Sequence, residues 1–163
     1  MIWRSGVWRA VLTTGIGAFA LLTLSPMTTH AADWPTFRGS DRSAVSPDTG
    51  LLTKWPAAGP KLLWNMPGAG AGYSSLAIAS GRIYTLGDAP STASDKDEYL
   101  VCFDQASGKQ LWRTKTGPAW ISGKPSWHGA RSTPTVDGDR VYCLTPQGEF
   151  FCCNTADGKV LWQ

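Results

Sequence analysis

Histidine is almost absent from this chain of 163 residues, which contains only His30 and His128. Protein metal sites are usually built from several His and Cys residues at regular ligand spacing, and no such cluster occurs, so we expect no metal site. The sequence also lacks a G-x-S-x-G motif, a phosphate-binding glycine loop that leads into a helix, and a catalytic pair of carboxylates. We therefore predict no catalytic residue in this chain.

Blocks of like charge are missing too. The chain has 15 Lys and Arg against 12 Asp and Glu, a formal net charge of +3, and the charges are scattered singly. Such a distribution argues against a nucleic-acid partner, which would need a basic patch. After residue 33 no segment has the spacing of apolar residues that marks an amphipathic helix.

The first 31 residues have the pattern of a secretory signal peptide. Arg4 and Arg9 form a positive start without acids, the apolar run Ala10–Leu24 follows, and Thr29-His30-Ala31 places small residues before a cleavage site. We predict cleavage just before Ala32 and a periplasmic or secreted protein.

An uncleaved membrane anchor is the alternative interpretation of this segment. It is weaker because the apolar run is shorter than the roughly 20 residues that a membrane-spanning helix needs. The first cysteine is Cys102, which excludes a lipidated cysteine at the cleavage site. We expect no stable membrane span after cleavage.

Glycine and tryptophan are abundant, with 18 and 9 residues, and they belong to an internal repeat. Ser74–Leu86 aligns without gaps with Ser132–Leu144, and Cys102–Trp112 aligns with Cys152–Trp162. The two copies differ by an insertion in the polar run Asp88–Asp97. A repeat of about 50 residues with strand-like units marks an array whose units pack against each other.

Each copy is predicted to be a four-stranded antiparallel meander that follows an irregular lead-in over residues 32–60. A first strand is expected at Lys61–Trp64, and Ser80-Gly81 is expected to be a two-residue hairpin turn. The other expected strands are 75–79, 82–86, 99–104, 109–115, 133–136, 140–145, 149–154 and 159–163. Repeated meanders of this kind are the blades of a β-propeller. We predict an all-β partial propeller over residues 61–163, with blades at about 61–117 and 131–163.

Three tryptophans end predicted strands in the pattern Lys-x-x-Trp: Trp64, Trp112 and Trp162. Trp64 precedes any complete blade, so we expect it on the outer strand of a blade whose other strands would come from the far end of a longer chain. A blade face left in water would cost on the order of 10 kcal/mol. We therefore expect a fragment that is incomplete at its C-terminus, with possible self-association through exposed blade edges.

The repeat resembles that of a known family. The unit Cys102-x-Asp104-x-x-Ser107-Gly108-Lys109-x-x-Trp112 is similar to the tryptophan-docking repeat of the pyrroloquinoline-quinone-like (PQQ-like) β-propellers. The second copy has matching residues, namely Cys152, Asn154, Asp157, Gly158, Lys159 and Trp162. The lead-in 33–39 resembles the start of secreted members. Such propellers usually close with about eight blades.

The motif residues are expected to have structural roles. Gly108 and Gly158 allow the positive φ of a tight turn, and Asp104 or Asn154 can accept hydrogen bonds from turn amides. The tryptophan of each unit would cover apolar surface between blades.

The resemblance implies two classes of function. The first is a binding or scaffolding module whose partner is a protein or an extracellular ligand on the propeller face. The alternative is a segment of a PQQ-dependent alcohol or sugar dehydrogenase, with PQQ and calcium as cofactors. The carboxylates that hold calcium in those enzymes find no match here, so we expect no cofactor in this chain.

The loops before the first strand of each blade are the candidate ligand site, because loops on a rigid β scaffold often carry function. Their aromatic and basic side chains could hold a planar or anionic ligand. The candidate residues are Tyr73, Trp120, Trp127, His128 and Arg131, with Lys124 nearby. The alternative is that these tryptophans only seal the blade junction.

The adjacent pair Cys152-Cys153 has three interpretations. In some quinone dehydrogenases adjacent cysteines form a disulfide beside the cofactor, but these two are predicted in mid-strand with opposed side chains. Two packed thiols are favoured, and a disulfide from Cys143 to one of them is the alternative in an oxidising compartment.

Overall fold

The computed structural model describes residues 31–88, 97–121 and 128–163. The predicted signal peptide, most of the insertion 88–97, Lys124 and Trp127 lie outside these ranges. The described residues belong to the compact unit Ala31–Gln163. They contain no helix long and apolar enough to cross a membrane.

Two four-stranded antiparallel sheets make up the regular structure of the described residues, and in each the strands follow chain order. The first sheet contains β1 (Ala77–Ala79), β2 (Arg82–Asp88), β3 (Asp97–Asp104) and β4 (Gln110–Pro118). The second contains β5 (Thr135–Asp137), β6 (Arg140–Leu144), β7 (Phe150–Asn154) and β8 (Val160–Trp162). The prediction of an all-β partial propeller made of four-stranded meanders is confirmed.

The turn between β1 and β2 forms at Ser80-Gly81, as predicted. Ala79 pairs with Arg82, and the two residues between them have φ values of 52° and 72°. Two consecutive positive φ values define the hairpin turn whose twist matches that of paired strands. Glycine adopts this conformation without strain, which explains its place in the turn.

The two sheets have a register shift at the same position of the repeat. The β3–β4 pairing shifts register between Cys102 and Phe103, and the β7–β8 pairing shifts between Cys152 and Cys153. Before each shift, the first cysteine lies opposite the tryptophan of the repeat. The repeat therefore encodes a β-bulge at the same point in both blades.

The main core lies between the two sheets and draws on both. Large buried side chains from the first sheet, such as Tyr84 and Leu100, belong to one cluster with Val141 and Phe151 of the second. A smaller cluster of Ile83, Val101 and Phe103 packs with Trp64 and Tyr99. Each blade therefore buries its apolar side chains against its neighbour, as expected of a repeat array.

The lead-in is hydrogen-bonded to both sheets. Trp34 exchanges backbone hydrogen bonds of 2.7 and 2.8 Å with Ile78 of β1. The Pro35 carbonyl accepts a bond of 2.8 Å from the Val136 amide of β5. The lead-in thereby satisfies backbone groups of the first strand of each blade, a role that the sequence did not indicate.

The strand predicted at Lys61–Trp64 is not found, because residues 61–68 have no regular secondary structure. A strand requires a hydrogen-bonded partner strand. The two described sheets consist of β1–β4 and β5–β8, and residues 61–64 pair with none of these strands. Trp64 nevertheless packs against the first sheet.

Candidate functional site

Two tryptophans of the repeat donate hydrogen bonds to backbone carbonyls of a blade. The Trp64 Nε1 donates to the Gln105 carbonyl at 3.0 Å, and the Trp112 Nε1 donates to the Thr155 carbonyl at 3.0 Å. In both cases the acceptor lies in the turn between the last two strands of a blade. Arg82 Nη1 also donates to the Thr155 carbonyl, so two side chains of the first sheet hold one turn of the second.

A glycine lies beneath each of these indoles. Gly108 and Gly158 have φ values of 71° and 74°. A Cβ at residue 108 would lie 2.5 Å from Cε3 of Trp64, and one at residue 158 would lie 2.4 Å from Cε3 of Trp112. Both positions therefore require glycine for the turn and for the close approach of the ring.

The polar residue of the repeat closes the same turn. Oδ1 of Asp104 accepts hydrogen bonds from the amide and the hydroxyl of Ser107, at 2.8 and 2.5 Å, and these bonds lower the pKa of Asp104. Oδ1 of Asn154 accepts from the Ala156 amide at 2.7 Å. The predicted hydrogen bonds to turn amides are present in both copies.

Trp162 ends the second blade at the position that Trp112 has in the first. Its side chain contacts the rings of Phe150 and Tyr142, with centroid distances of 5.5 and 6.0 Å. It is 45% exposed, which distinguishes it from the half-buried Trp112.

The two predicted ligand loops lie side by side. Gly72 and Ala130 form a parallel backbone bridge, and the Tyr73 amide donates to the Ala130 carbonyl at 2.7 Å. The Gly129 amide donates to the Trp120 carbonyl at 3.0 Å. These bonds join residues 68–73, Trp120 and residues 128–131 into one surface, which we call the loop face.

The predicted ligand residues on the loop face differ in their exposure to solvent. Tyr73 is 59% exposed and Trp120 is 38% exposed, and Arg131 is also exposed. His128 is half-buried, with its Nδ1 atom buried and without a hydrogen-bond partner. Trp127 lies outside the described residues, and the binding role of the other four stays a prediction.

One buried carboxyl group, that of Glu98, and one half-buried carboxyl group, that of Asp88, lie below this face, and sequence reasoning missed both. Asp88 of β2 pairs directly with Glu98 of β3, at the strand ends that flank the polar insertion. Glu98 is fully buried. The only signal in the sequence is that both acids border the insertion, where a charged residue is ordinarily assigned to a solvated loop.

Burial dominates the electrostatics of this acid pair. It raises the pKa of Glu98 to about 7, helped by the nearby charge of Asp88 and opposed by a hydrogen bond from Thr116. Burial also raises the pKa of Asp88, against the attraction of His128. Both carboxyl groups therefore favour the neutral form more than a solvated acid does.

The four cysteines are buried free thiols. Burial raises the pKa values of Cys102 and Cys153 to about 11, and it raises the pKa of Cys143 further. The favoured prediction of packed thiols agrees with this arrangement. The structure contains no disulfide from Cys143 within the described residues.

The cysteine pair lies in the interior of the second sheet. Cys152 and Cys153 are fully buried, and they pair with Tyr142 and Val141 in the middle of the second sheet. Neither thiol faces a space that could receive a planar cofactor. In the described ranges no three His, Cys, Asp or Glu residues are grouped to hold a metal ion.

Two surface cavities lie away from the loop face. One of about 310 Å³ is formed by the lead-in, around Asp33, Trp34 and Asp41. The other, of about 250 Å³, lies between the sheets and is lined by residues that include Arg82, Tyr84 and Thr155. Neither cavity is lined by a residue predicted to bind a ligand.

Comparison with known proteins agrees with the repeat and the sheets. The family model described as outer membrane protein assembly factor BamB, a PQQ-repeat family, matches residues 2–163. No match to a curated protein was found. Because the match spans nearly the whole chain, the protein belongs to this BamB-like PQQ-repeat family.

Proposed function

We propose that this protein is a binding or scaffolding module that docks a protein partner on its loop face. The observation that carries the proposal is the backbone bond from Tyr73 to Ala130. It joins equivalent loops of two blades into one surface on a rigid scaffold. Loops fixed in this way need little further ordering when a partner binds, which favours affinity.

The chemistry of the loop face supports a protein as the partner. Tyr73, Trp120 and Ile121 expose large apolar areas there, and Arg131 is exposed on the same segment as Ala130. Aromatic residues and arginine are the side chains most enriched at energetically important positions of protein interfaces. The description of the family as an assembly factor also supports a protein partner.

The junction tryptophans are proposed to act as docking residues between blades, not as ligand-binding residues. Trp64 and Trp112 use their Nε1 atoms on backbone carbonyls and their ring faces on glycines. In this role Trp112 holds the two blades, and hence the two loops, at a fixed spacing, and Trp64 holds the segment before the first blade against that blade.

We propose a periplasmic or secreted location, which rests on the signal-peptide pattern of residues 1–31. The test is the N-terminus of the protein recovered from its host, determined by mass spectrometry. A mature chain that starts at Ala32 is expected, whereas a chain that retains Arg4 and Arg9 would contradict this location.

The binding function is tested by site-specific photo-crosslinking in the host cell. A photoreactive residue at position 73 or 120 should crosslink to one partner protein. The same residue at position 111 should not, because Leu111 is 44% exposed but lies on β4, outside the loop face. Equal crosslinking from all three positions, or none from 73 and 120, would refute the proposal.

Two further measurements test whether the loop face itself binds the partner and whether the protein is a dehydrogenase instead. The variant Tyr73→Ser/Trp120→Ser should no longer retain the crosslinked partner in a purified binding assay, while its unfolding midpoint in urea stays near that of the wild type. Oxidation of an alcohol or sugar after addition of PQQ and calcium would instead support the dehydrogenase alternative.

A further inference from the structure

Three polar atoms beneath the loop face are buried without a hydrogen-bond partner: Oδ1 of Asp88, Oε2 of Glu98 and Nδ1 of His128. Buried polar atoms in folded proteins are nearly always paired, so each exception calls for a physical reason. Here the three exceptions belong to neighbouring ionisable groups, which indicates a common cause.

The geometry places the two acids against each other. Asp88 and Glu98 are direct partners across β2 and β3, where side chains of paired residues lie about 5 Å apart. Glu98 is 0% exposed, and its Oε1 accepts a hydrogen bond of 3.3 Å from Thr116. Two ionised carboxylates in this position would repel each other with little water to screen them.

Within residues 31–88, 97–121 and 128–163, no cation forms an ion pair with Glu98. Asp88 faces it from β2, Thr116 from β4 and the Cys143 thiol from β6, and His128 lies near Asp88. On β4, Lys115 is held by Asp97 at 2.7 Å. The side chain of Glu149 lies against Gly117, 3.3 Å from the position of a Cβ there, so a further acid borders the site.

The acid pair is connected directly to the loop face. The Asp88 amide donates to the Ala71 carbonyl at 2.9 Å, and the backbone of Asp88 lies too close to Gly70 for any side chain there. His128 begins the second loop segment, two residues before Ala130. A displacement of Asp88 would therefore move both loops.

We propose that Asp88, Glu98 and His128 form a proton-controlled support of the loop face. With a proton on Glu98, the carboxyl groups tolerate each other and the loops stay joined. Loss of that proton leaves a fully buried anion at Glu98 that faces the half-buried carboxyl group of Asp88, which weakens the bonds from Asp88 to Ala71 and from Tyr73 to Ala130. The consequence for partner binding rests on the function proposed above, whereas the loosening of the loops does not.

The direction of the pH effect follows from linkage. Burial raises the pKa of Glu98 to about 7 from an ordinary value of 4.5, so between these values the folded state binds more protons than the unfolded state. Stability is therefore highest below about pH 4.5 with respect to this group, falls as the pH rises to about 7, and is constant above it.

The test is amide hydrogen exchange as a function of pH, corrected for the intrinsic exchange rate. Between pH 5 and pH 8.5, protection of the Asp88 and Tyr73 amides should fall by about tenfold or more, as expected for a pKa shift of at least one unit. The variant Glu98→Gln keeps the shape without the charge and should show no such fall. Asp139→Asn is the control and should behave as the wild type, because the Asp139 side chain is 81% exposed and lies in the turn between β5 and β6.

Two outcomes would overturn the proposal: protection in the wild type that does not depend on pH, or an unchanged pH dependence in Glu98→Gln. If Glu98→Gln fails to fold, Asp88→Asn serves instead: it removes the repulsion but not the burial of Glu98, so the fall in protection should be smaller than in the wild type without vanishing. Crosslinking from position 73 at both pH values separates the two proposals. If amide protection falls with rising pH but no protein is crosslinked from position 73 at either pH, the binding function is refuted. The proton-controlled support would still hold.

Discussion

Trp112 and Gly158 are in such close contact that a Cβ at residue 158 would lie 2.4 Å from Cε3 of the indole. The same relationship joins Trp64 to Gly108 in the preceding unit. Together with the bond to the Thr155 carbonyl and the core between the sheets, this contact holds the second sheet against the first.

The first prediction is that Gly158→Ala destabilises the protein by about 3 kcal/mol. About 1–2 kcal/mol comes from a left-handed φ with a Cβ, and the rest from overpacking against Trp112. Gly138→Ala is the matched control, because Gly138 also has a positive φ of 58° but has no neighbouring atom within 4 Å. Urea unfolding measures both variants, and equal losses would show that the indole contact contributes nothing.

A second prediction concerns the two donors to the Thr155 carbonyl. Arg82→Met and Trp112→Phe each leave one donor in place, but the double variant leaves the half-buried carbonyl without either. The double loss should therefore exceed the sum of the single losses by roughly 0.5–1.5 kcal/mol. Arg82→Met combined with Lys115→Met should be additive, since Lys115 binds Asp97 instead. Additive losses in the first cycle would contradict a shared acceptor.

Third, the cysteines should be almost unreactive in the native protein. Burial raises the pKa values of Cys102 and Cys153 to about 11, so very little thiolate exists at pH 8, and thiolate is the reactive form. Ellman's reagent should detect close to none of the four thiols in the folded chain and all four after denaturation. Detection of only two after denaturation would establish a disulfide, the alternative that involves Cys143.

Fourth, the lead-in should protect amides of the first strand in each blade. Trp34→Ala should speed hydrogen exchange at Ile78 and Val136, because their amides donate to the carbonyls of Trp34 and Pro35. The amide of Val101, in the middle of β3, should be unaffected and serves as the control. Equal acceleration at all three would indicate global destabilisation and would contradict a local role for the lead-in.

Most of the fold could be predicted because the same pattern of strands and turns occurs in both copies of the repeat. The turn at Ser80-Gly81, the hairpins and the glycines of the tight turns at 108 and 158 all depend on local sequence, and each is visible in the alignment of the copies. The expected strand at Lys61–Trp64 failed for a different reason. The apolar residues of this segment predict that it is buried against a sheet. They do not show whether another strand is available to pair with it.

The candidate site was less accessible to sequence reasoning. The loops of Tyr73 and Ala130 could be placed near each other because they occupy equivalent positions in the two copies. Asp88 and Glu98 could not be identified, because their burial depends on the register of β2 with β3 and on the packing of the second sheet. The sequence pattern of a pair of acids does not show whether the pair is buried or exposed to solvent.

The acceptor at each blade junction is a main-chain oxygen, supplied by Gln105 in one unit and by Thr155 in the other at the same distance of 3.0 Å. A carbonyl survives every substitution of the residue that bears it. Substitutions of Gln105 or Thr155 therefore leave the acceptor in place, and the copies can diverge at these two positions without losing the bond to the tryptophan.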